Sequence, residues 1–342
     1  MRKYLLPENG NFYKANLHCH SNLSDGRLTP EELKKIYMEK GYSIIAYTDH
    51  DIMIPHPELA DENFLPLNAF EMEVNEPKRE DFQCVKCCHL CFIALESDNL
   101  VQPCWHRSKY RFGNAPKYEH LVQFDENEPD YEREYSAEGI NDMIQVCREK
   151  GFFVTYNHPN WSMENYAQYM GYNGMHAMEI CNFGCVAVGY DDYNAVAYDD
   201  MLRGNKRIYC IATDDNHNHG DPATRRYDSF GGFTMIKADR LDYRTVTKAL
   251  EDGNFYASQG PIIHKLWFED GKIHIECEPA DRIVMTTGIR QRRIVWAENG
   301  EPLTEAEFEV KPEFGYVRIT VIDAAGWHAD TNAYFTDELL GE

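Results

Sequence analysis

The chain has 342 residues, of which 43% are hydrophobic and 27% are charged, so its composition is that of a folded protein and excludes a disordered one. Its 57 acidic residues outnumber its 34 basic residues, and the formal charge of -23 disfavours a polynucleotide partner because it repels nucleic-acid backbones. No apolar run is long enough for a signal peptide or for the ~20 residues that span a bilayer. The odd number of 11 cysteines favours free thiols, and we expect a cytoplasmic protein without a membrane partner.

Predicted strands and helices alternate through the first 250 residues. Residues 29–32 form a capping box with proline at the first helical position, and Gly41 can end the helix that follows. Ser136 and Gly151 delimit a second amphipathic helix in the same way. This order indicates an α/β fold with a parallel sheet covered by helices, and a (β/α) barrel would carry its active site at the carboxyl ends of the strands. The buried strands are predicted at residues 44–47, 152–155, 178–181 and 208–211.

Two parts of the chain depart from this order. Residues 77–130 are rich in charges, cysteines and aromatics without a clear period, and we interpret most of them as an insertion around a strand near His89. From Ile262 onward apolar and polar residues alternate, which is typical of antiparallel strands. We therefore predict a barrel domain at residues 1–261 and a small antiparallel β domain at residues 262–342.

Histidines and carboxylates recur where the predicted strands end. His18 and His20 lie two residues apart, so in a strand both side chains point to one face and can bind one metal ion. Each such residue alone is more often a turn or capping group, but burying so many ionisable groups without a counter-charge is costly. We predict that nine residues, all of types that bind Zn, Mn or Fe, hold metal ions: His18, His20, Asp25, His50, Glu71, His89, His158, Asp215 and His217.

These motifs resemble those of the PHP (polymerase and histidinol phosphatase) superfamily, in the same order along residues 12–260. Residues 253–261 are similar to the segment that closes the domain in stand-alone members, and the tail through residues 331–333 resembles the small β domain that some members carry. The motifs that carry the resemblance are residues 18–20, 24–26, 48–51, 70–71, 88–90, 157–159 and 215–217.

The resemblance implies a distorted seven-stranded (β/α) barrel of PHP type with two or three divalent ions, which are Zn, Mn or Fe, with Mg as an alternative. His89 lies within the unusually long segment of residues 77–130. At the last motif, only the two-residue step to His217 favours Asp215 over the neighbouring Asp214. By motif position, the first ion would be held by His18, His20, Glu71 and Asp215, the second by Glu71, His89 and His158 with Glu71 as the bridge, and the third by Asp25, His50 and His217.

The resemblance and the predicted metals together imply a phosphoesterase that acts on a small phosphorylated metabolite of the nucleotide or sugar phosphate class, with a metal-bound hydroxide as the nucleophile. Two alternatives stay open: hydrolysis of a non-phosphate bond, and a binding module on the same barrel that has lost its chemistry. A homo-oligomer is compatible with the sequence.

Three residues outside the ligand set are candidates for the catalytic machinery. Asp49 can orient a ligand histidine or cap a turn, and Arg225 and Arg226 can contact a substrate phosphate or face solvent.

Two further patterns are open to a functional interpretation. Cys84, Cys87, Cys88, Cys91 and Cys104 could form a structural zinc site, although residues 87–95 also have the pattern of a buried strand. The basic stretch at residues 105–111 could be a lid over a substrate phosphate or a solvated edge.

Overall fold

A computed structural model describes residues 2–78, 85–224, 226–298 and 300–341, and its elements follow the predicted alternation of strands and helices. The strands are β1 (Lys3–Tyr4), β2 (Asn11–Cys19), β3 (Tyr42–Tyr47), β4 (Leu65–Asn75), β5 (Cys87–Ala94), β6 (Phe152–Tyr156), β7 (Ala177–Asn182), β8 (Tyr209–Thr213), β9 (Phe233–Ala238), β10 (Phe255–Ser258), β11 (Ile263–Glu269), β12 (Lys272–Ala280), β13 (Arg282–Thr287), β14 (Arg293–Trp296), β15 (Leu303–Glu309), β16 (Tyr316–Ile322), β17 (His328–Thr331) and β18 (Tyr334–Phe335).

The α-helices lie mostly in the first three quarters of the chain. They are α1 (Pro30–Met38), α2 (Ala115–Tyr118), α3 (Ala137–Glu149), α4 (Tyr166–Tyr169), α5 (Gly184–Ala187), α6 (Ala195–Arg203), α7 (Tyr243–Glu251) and α8 (Thr336–Leu340), with 3₁₀ turns at Pro57–Leu59, Glu119–Leu121 and Pro312–Phe314.

Both predicted helix starts are confirmed. Thr29 accepts a hydrogen bond from the backbone of Glu32, whose side chain returns one to the Thr29 backbone, and Pro30 occupies the first helical position of α1. Ser136 caps α3 by accepting from the backbone of Gly139. These caps fix where the chain leaves each helix and enters the next strand.

The seven strands β2 to β8 lie side by side in chain order, with β9 next to β2 on the outer side. The expectation of a purely parallel sheet is wrong at β5, which runs antiparallel to both β4 and β6, whereas β2, β3 and β4 are parallel, as are β6, β7 and β8. A crossover between two parallel strands needs a dozen or more residues and usually contains a helix. Among the described residues, the link between β4 and β5 contains no helix, which agrees with the antiparallel course of β5.

A closed seven-stranded barrel is not confirmed, because the sheet is not closed. The path of paired strands ends at β8, and no ladder joins β8 to β2 or β9 among the described residues. The Thr234 hydroxyl on β9 takes the place of ladder bonds there, since it donates to the Ala212 carbonyl at 3.0 Å and accepts from the Ala212 amide at 3.3 Å. A side chain between the two strands holds them together without closing the ladder.

The C-terminal region is β-rich, as its two-residue period predicts. Strands β11, β12 and β15 form an antiparallel sheet with β1, while β13, β14, β16 and β17 extend the main sheet through the pairing of β17 with β10. One apolar cluster contains Leu33 and Tyr37 of α1 together with Ile273 and Ile319 of this region. The domain boundary after residue 261 stays a prediction.

The ten cysteines that the structure describes are free and buried, in agreement with the expectation of free thiols. Among the described residues, no helix combines the length and the apolar character that crossing a membrane requires.

Candidate metal centre

All nine predicted ligands converge at the edge of the sheet where strands β2, β3, β6 and β8 end. Their nitrogen and oxygen atoms fall into overlapping groups, within each of which the atoms lie within 4.8 Å of one another. The groups are His20, Asp25, His50 and His217; His18, His158 and Asp215; His50, Glu71 and His89; and His18 and Glu71 with Cys91.

Glu71 on β4 lies at the centre of the cluster, with 1% of its side chain exposed. Its Oε1 is 3.2 Å from His18 Nε2 and 3.0 Å from His89 Nδ1. Its Oε2 is 3.3 Å from His20 Nε2 and 3.2 Å from His50 Nδ1. Because His158 Nε2 also lies 3.6 Å from Oε1, one carboxylate contacts five imidazoles, three on Oε1 and two on Oε2, which is the arrangement that a bridging ligand requires.

Asp215 faces Glu71 from the end of β8. Its Oδ1 is 3.2 Å from His18 Nε2 and 3.1 Å from His20 Nε2, and its Oδ2 is 3.7 Å from His158 Nε2. The Asp215 amide donates to the His18 carbonyl at 2.9 Å, so the backbone itself ties the end of β8 to the end of β2.

The neighbouring Asp214 faces the opposite side. Its carboxylate accepts hydrogen bonds from the backbone of Phe230, Gly231 and Gly232 and from the Tyr37 hydroxyl. Burial raises the pKa of Asp214 to about 6, although these donors act against the shift. Asp214 therefore organises the loop before β9 and contacts none of the clustered histidines.

Asp25 gathers the third group in front of the cluster. Its carboxylate is 3.3 Å from His217 Nε2, 3.7 Å from His20 Nδ1 and 4.0 Å from His50 Nε2. The imidazole of His20 stacks on that of His217 with ring centroids 4.3 Å apart. This placement matches the group Asp25, His50 and His217 that the resemblance implies, with His20 added.

The cluster has unmet bonding capacity that suits cations. His20 Nδ1, His50 Nδ1 and Glu71 Oε2 are buried and make no hydrogen bond with the described residues, although His50 Nδ1 and Glu71 Oε2 lie only 3.2 Å apart. Two ligand atoms about 2.1 Å from one tetrahedral ion lie about 3.4 Å apart, which is close to the 3.0 to 3.3 Å separations around Glu71. Nitrogen and carboxylate donors in this number fit two or three divalent ions.

The electrostatics show the same demand for positive charge. Burial acts to lower the pKa of His20, but its contacts with Asp215 and Glu71 raise that pKa to about 10. His50 is the exception, because burial and the neighbouring His20 lower its pKa to about 3. Burial acts to raise the pKa of Glu71, but the surrounding imidazoles hold it well below its usual value. Carboxylates buried among imidazoles thus attract protons, and bound cations would take over that role.

Glu179 on β7 was not predicted as a site residue, yet its contacts converge on the cluster. It is fully buried, and its carboxylate lies 2.7 Å from His18 Nδ1. It also accepts from the His158 amide at 2.9 Å, the Thr213 hydroxyl at 2.6 Å and the Asn182 amide at 2.8 Å. A carboxylate on the far nitrogen of a ligand histidine fixes the tautomer and the ring orientation. The sequence signal was a single acidic residue inside an apolar strand.

Asn157 and Glu73 extend this outer layer. Asn157 donates to Glu71 Oε1 at 3.1 Å, and Glu73 Oε2 lies 3.2 Å from His89 Nε2. Burial acts to raise the pKa of Glu73, but His89 lowers it to about 2. Both residues therefore hold the central ligands in position.

Asp49 takes the capping alternative and not the histidine-orienting one. Its carboxylate accepts from the backbone amides of Ser21 and Ser24 at 2.9 and 3.1 Å and from their hydroxyls at 2.7 and 2.6 Å. Because these bonds close the turn before Asp25, Asp49 positions that ligand through the backbone. Arg226 is exposed at the rim of the cavity above the cluster, and Arg225 lies outside the described residues.

The other two sequence patterns have structural roles among the described residues. Arg107 pairs with Asp130 at 2.7 Å and Lys109 with Glu132 at 2.6 Å, so the basic stretch is a solvated edge paired with local acids. The cysteines at 87, 88 and 91 lie in the buried strand β5, and Cys84 is outside the described residues. Cys104 Sγ is 3.8 Å from Cys147 Sγ, not beside the cysteines of β5.

A cavity of about 700 Å³ opens over the cluster. Eight polar side chains of the cluster and its neighbours line it, together with aromatic and apolar side chains. The eight are Asp25, His50, Glu71, Glu73, His89, His158, Asp215 and His217. Histidines and carboxylates crowded at the strand ends of an α/β protein form a cluster that could hold metal ions. The family model of the PHP domain matches residues 16–209, which is more than half of the chain. The chain belongs to the PHP domain family.

Several solved structures are similar to the chain. A two-domain protein from Bacteroides vulgatus, described as containing a predicted PHP-like metal-dependent phosphoesterase, has 16% identity over 97% of both chains and a TM-score of 0.46. A proposed metal-dependent phosphoesterase from Bifidobacterium adolescentis has 16% identity over 64% of this chain and 91% of its own, with a TM-score of 0.39. An amidohydrolase from Chromobacterium violaceum has 15% identity over 60% and 88%, with a TM-score of 0.40. No curated protein matches, and the assignment rests on the family model.

Proposed function

We propose that the protein is a metal-dependent phosphoesterase that hydrolyses a small phosphorylated metabolite of the nucleotide or sugar phosphate class. The observation that carries the proposal is the convergence of six histidines, Asp25 and Asp215 on Glu71 beneath one cavity, which seven of these nine residues line. Membership of the PHP domain family supports it.

The ligand groups suggest how the ions would be held. One ion would be held by His20, Asp25, His50 and His217, and a second by His18, His158 and Asp215. A third would be held by Glu71 with His89, and Glu71 would connect it with the other two groups. Zn, Mn or Fe suits this mixture of imidazole and carboxylate best. When bound, divalent ions supply a water of lowered pKa and offset the charge of a transferred phosphoryl group.

The chain's own residues supply position and enclosure. Glu179 holds His18, Asp49 closes the turn that presents Asp25, and Asn157 holds Glu71. A preset arrangement of ligands costs little reorganisation during the reaction. The cavity volume of about 700 Å³ and the net charge of -23 suit a small anion that meets bound cations better than a polynucleotide.

The experiment combines elemental analysis with phosphate release from a panel of nucleotides and sugar phosphates in the presence of Mn, Zn, Fe or Mg. We expect two or three ions per chain, and we expect His18→Ala and Asp215→Ala to abolish turnover together with part of the metal content. His264→Ala is the matched control, because His264 is half exposed and pairs with Glu278 outside the site.

Three results would contradict the proposal. Full activity in His18→Ala or Asp215→Ala would exclude the metal cluster as the active site. Release of another product without phosphate would favour hydrolysis of a non-phosphate bond. Bound metal without turnover on any ester of the panel would favour a binding module.

A further inference from the structure

Three apolar side chains from separate segments border the cavity above the metal ligands. Phe112 is 47% exposed and Val188 is 63% exposed, while Trp161 is half-buried. Neither metal ions nor a phosphate need such a wall, and large exposed apolar groups beside a charged cavity are typical of ligand contacts. The wall is therefore a feature of the site that the metal chemistry leaves unexplained.

Phe112 is held in place by a close backbone approach. Its ring lies edge-on to the His50 imidazole, with centroids 5.0 Å apart. The next residue, Gly113, has a φ of +57°, and a Cβ there would lie 2.4 Å from the Ser24 carbonyl oxygen. The Asn114 amide donates to that same oxygen at 2.6 Å. The segment therefore rests directly on the turn that carries Asp25.

Trp161 covers the neighbouring part of the cluster, since the His50 and His89 ring centroids lie 5.6 Å apart. Its ring lies edge-on to His89 and His158, with centroid separations of 5.3 and 5.1 Å. The tight turn that holds it is closed by the Ser162 amide, which donates to the His158 carbonyl at 3.0 Å. The indole is thus fixed above His89 and His158.

Val188 follows α5 on the third side. Gly184 begins this helix so close to the end of β8 that a Cβ on it would lie 2.8 Å from the carbonyl oxygens of Asp214 and Asp215. This close approach brings Val188 to the cavity wall. The remaining side is polar and includes His219, Thr224 and Arg226.

We propose that this apolar wall of Phe112, Trp161 and Val188 binds a planar aromatic group that is joined to the phosphate of the substrate. The inference rests on the proposed phosphoesterase function and narrows its substrate class. A polyol phosphate would place hydroxyl groups against apolar side chains without hydrogen-bond partners, whereas an aromatic ring buries its faces there. Aromatic stacking changes affinity by about 5- to 150-fold for each ring, which converts to ~1–3 kcal/mol.

The test measures binding without turnover, by calorimetry on the manganese-loaded protein with two phosphonates. Phenylphosphonate and methylphosphonate share the charged group and differ in the ring. We expect phenylphosphonate to bind about tenfold more tightly or better, and we expect Trp161→Ala to remove most of that preference. Trp296→Ala is the matched control, because Trp296 is 52% exposed on β14 and should leave the preference unchanged.

Equal affinities for the two phosphonates would overturn the inference, and so would an undiminished preference in Trp161→Ala. If that variant fails to fold, Phe112→Ala and Val188→Ser test the same wall from two other segments. A preference that survives both of those changes also overturns it.

Turnover of adenosine monophosphate against ribose 5-phosphate, which lacks the base, asks whether the ring is a nucleobase. A preference for the nucleotide identifies a base, and a preference for phenyl phosphate alone identifies another aryl group. Failure of the proposed function is distinguishable: phenylphosphonate would bind selectively while no ester released phosphate. A different result would retain the proposed function and reject the aromatic subsite. In that case adenosine monophosphate and ribose 5-phosphate would release phosphate with equal efficiency, and the two phosphonates would bind with equal affinity.

Discussion

The carboxylate of Glu179 joins four segments that are distant in the sequence. It contacts His18 at the end of β2, the amide of His158, Thr213 of β8 and Asn182 of its own strand. Such a group acts through the ligand that it orients and not by touching substrate, so Glu179 is a positioning residue. Its contribution should appear first in metal affinity.

We predict that Glu179→Gln weakens metal binding by about 10- to 100-fold, because the isosteric amide loses the charge that holds His18 Nδ1. Metal titration of the metal-free protein measures the effect. Glu164→Gln is the matched control, since Glu164 is also a buried carboxylate but bonds to the hydroxyls of Tyr135, Tyr156 and Tyr172. Unchanged metal affinity in Glu179→Gln, with an unchanged melting temperature, would reject the role.

The separate ligand groups predict separate losses of metal. Asp25 contacts the histidines of the group in front of the cluster, whereas Glu71 contacts five imidazoles. We expect Asp25→Asn to lose one ion per chain and Glu71→Gln to lose more than one, as measured by elemental analysis after identical metal loading. A full complement of ions in Asp25→Asn would show that Asp25 is not a ligand.

At the scale of elements, the inserted segment that contains α2 depends on one glycine to reach the site. Gly113 has a positive φ and its hydrogen atoms face the Ser24 carbonyl, so a larger residue meets both backbone strain and a collision. The insertion and the turn before Asp25 therefore behave as one structural unit.

We predict that Gly113→Ala destabilises the protein by about 1–3 kcal/mol and weakens phenylphosphonate binding, because the segment that carries Phe112 must move away. Urea unfolding and calorimetry measure the two effects. Gly326→Ala is the matched control: its φ is +91°, but a Cβ there meets no atom within 4 Å. If both variants lose the same stability and neither loses affinity, the collision with Ser24 has no consequence.

At the scale of the whole molecule, a buried ion network joins the C-terminal strands to the α/β part. Arg318 of β16 has 2% of its side chain exposed and donates to Asp199 of α6 at 2.8 and 3.0 Å. It also donates to Asp330 of β17 at 2.9 Å. Arg318 thus pairs with two buried carboxylates from different parts of the chain, and Asp199 also lies 3.5 Å from the exposed Arg292.

We predict that Arg318→Ala lowers the free energy of unfolding by about 3–5 kcal/mol, because it removes the counter-charge of the buried Asp330 and leaves Asp199 with only the exposed Arg292 at 3.5 Å among the described residues. Urea unfolding should show one transition, since one apolar cluster contains residues on both sides of position 261. Arg282→Ala is the control, because Arg282 is partly exposed and its ion pair among the described residues is with the adjacent Asp281. Two transitions, with the first part of the chain unaffected by Arg318→Ala, would contradict the prediction.

Local chemistry explains what could be predicted from the sequence alone. Thr29 and Ser136 cap helices through bonds within three residues, and the two-residue step from His18 to His20 sets both imidazoles on one face. The same step from Asp215 to His217 favoured the aspartate that lies among the clustered histidines, because neighbouring residues face opposite sides. Caps, periods and the types of ligand depend on neighbours in the chain, so the sequence by itself determined them.

Only the tertiary structure decided the features that depend on distant partners. Glu179 meets His18 across 161 positions, and nothing beside it in the chain announces that contact. The antiparallel course of β5 depends on how β4 and β6 pair with it, and the open ladder depends on Thr234 lying against Ala212. Pairing and burial are properties of surfaces that meet only after folding. Local patterns could therefore indicate the residues that cluster but not the groups that hold them in position.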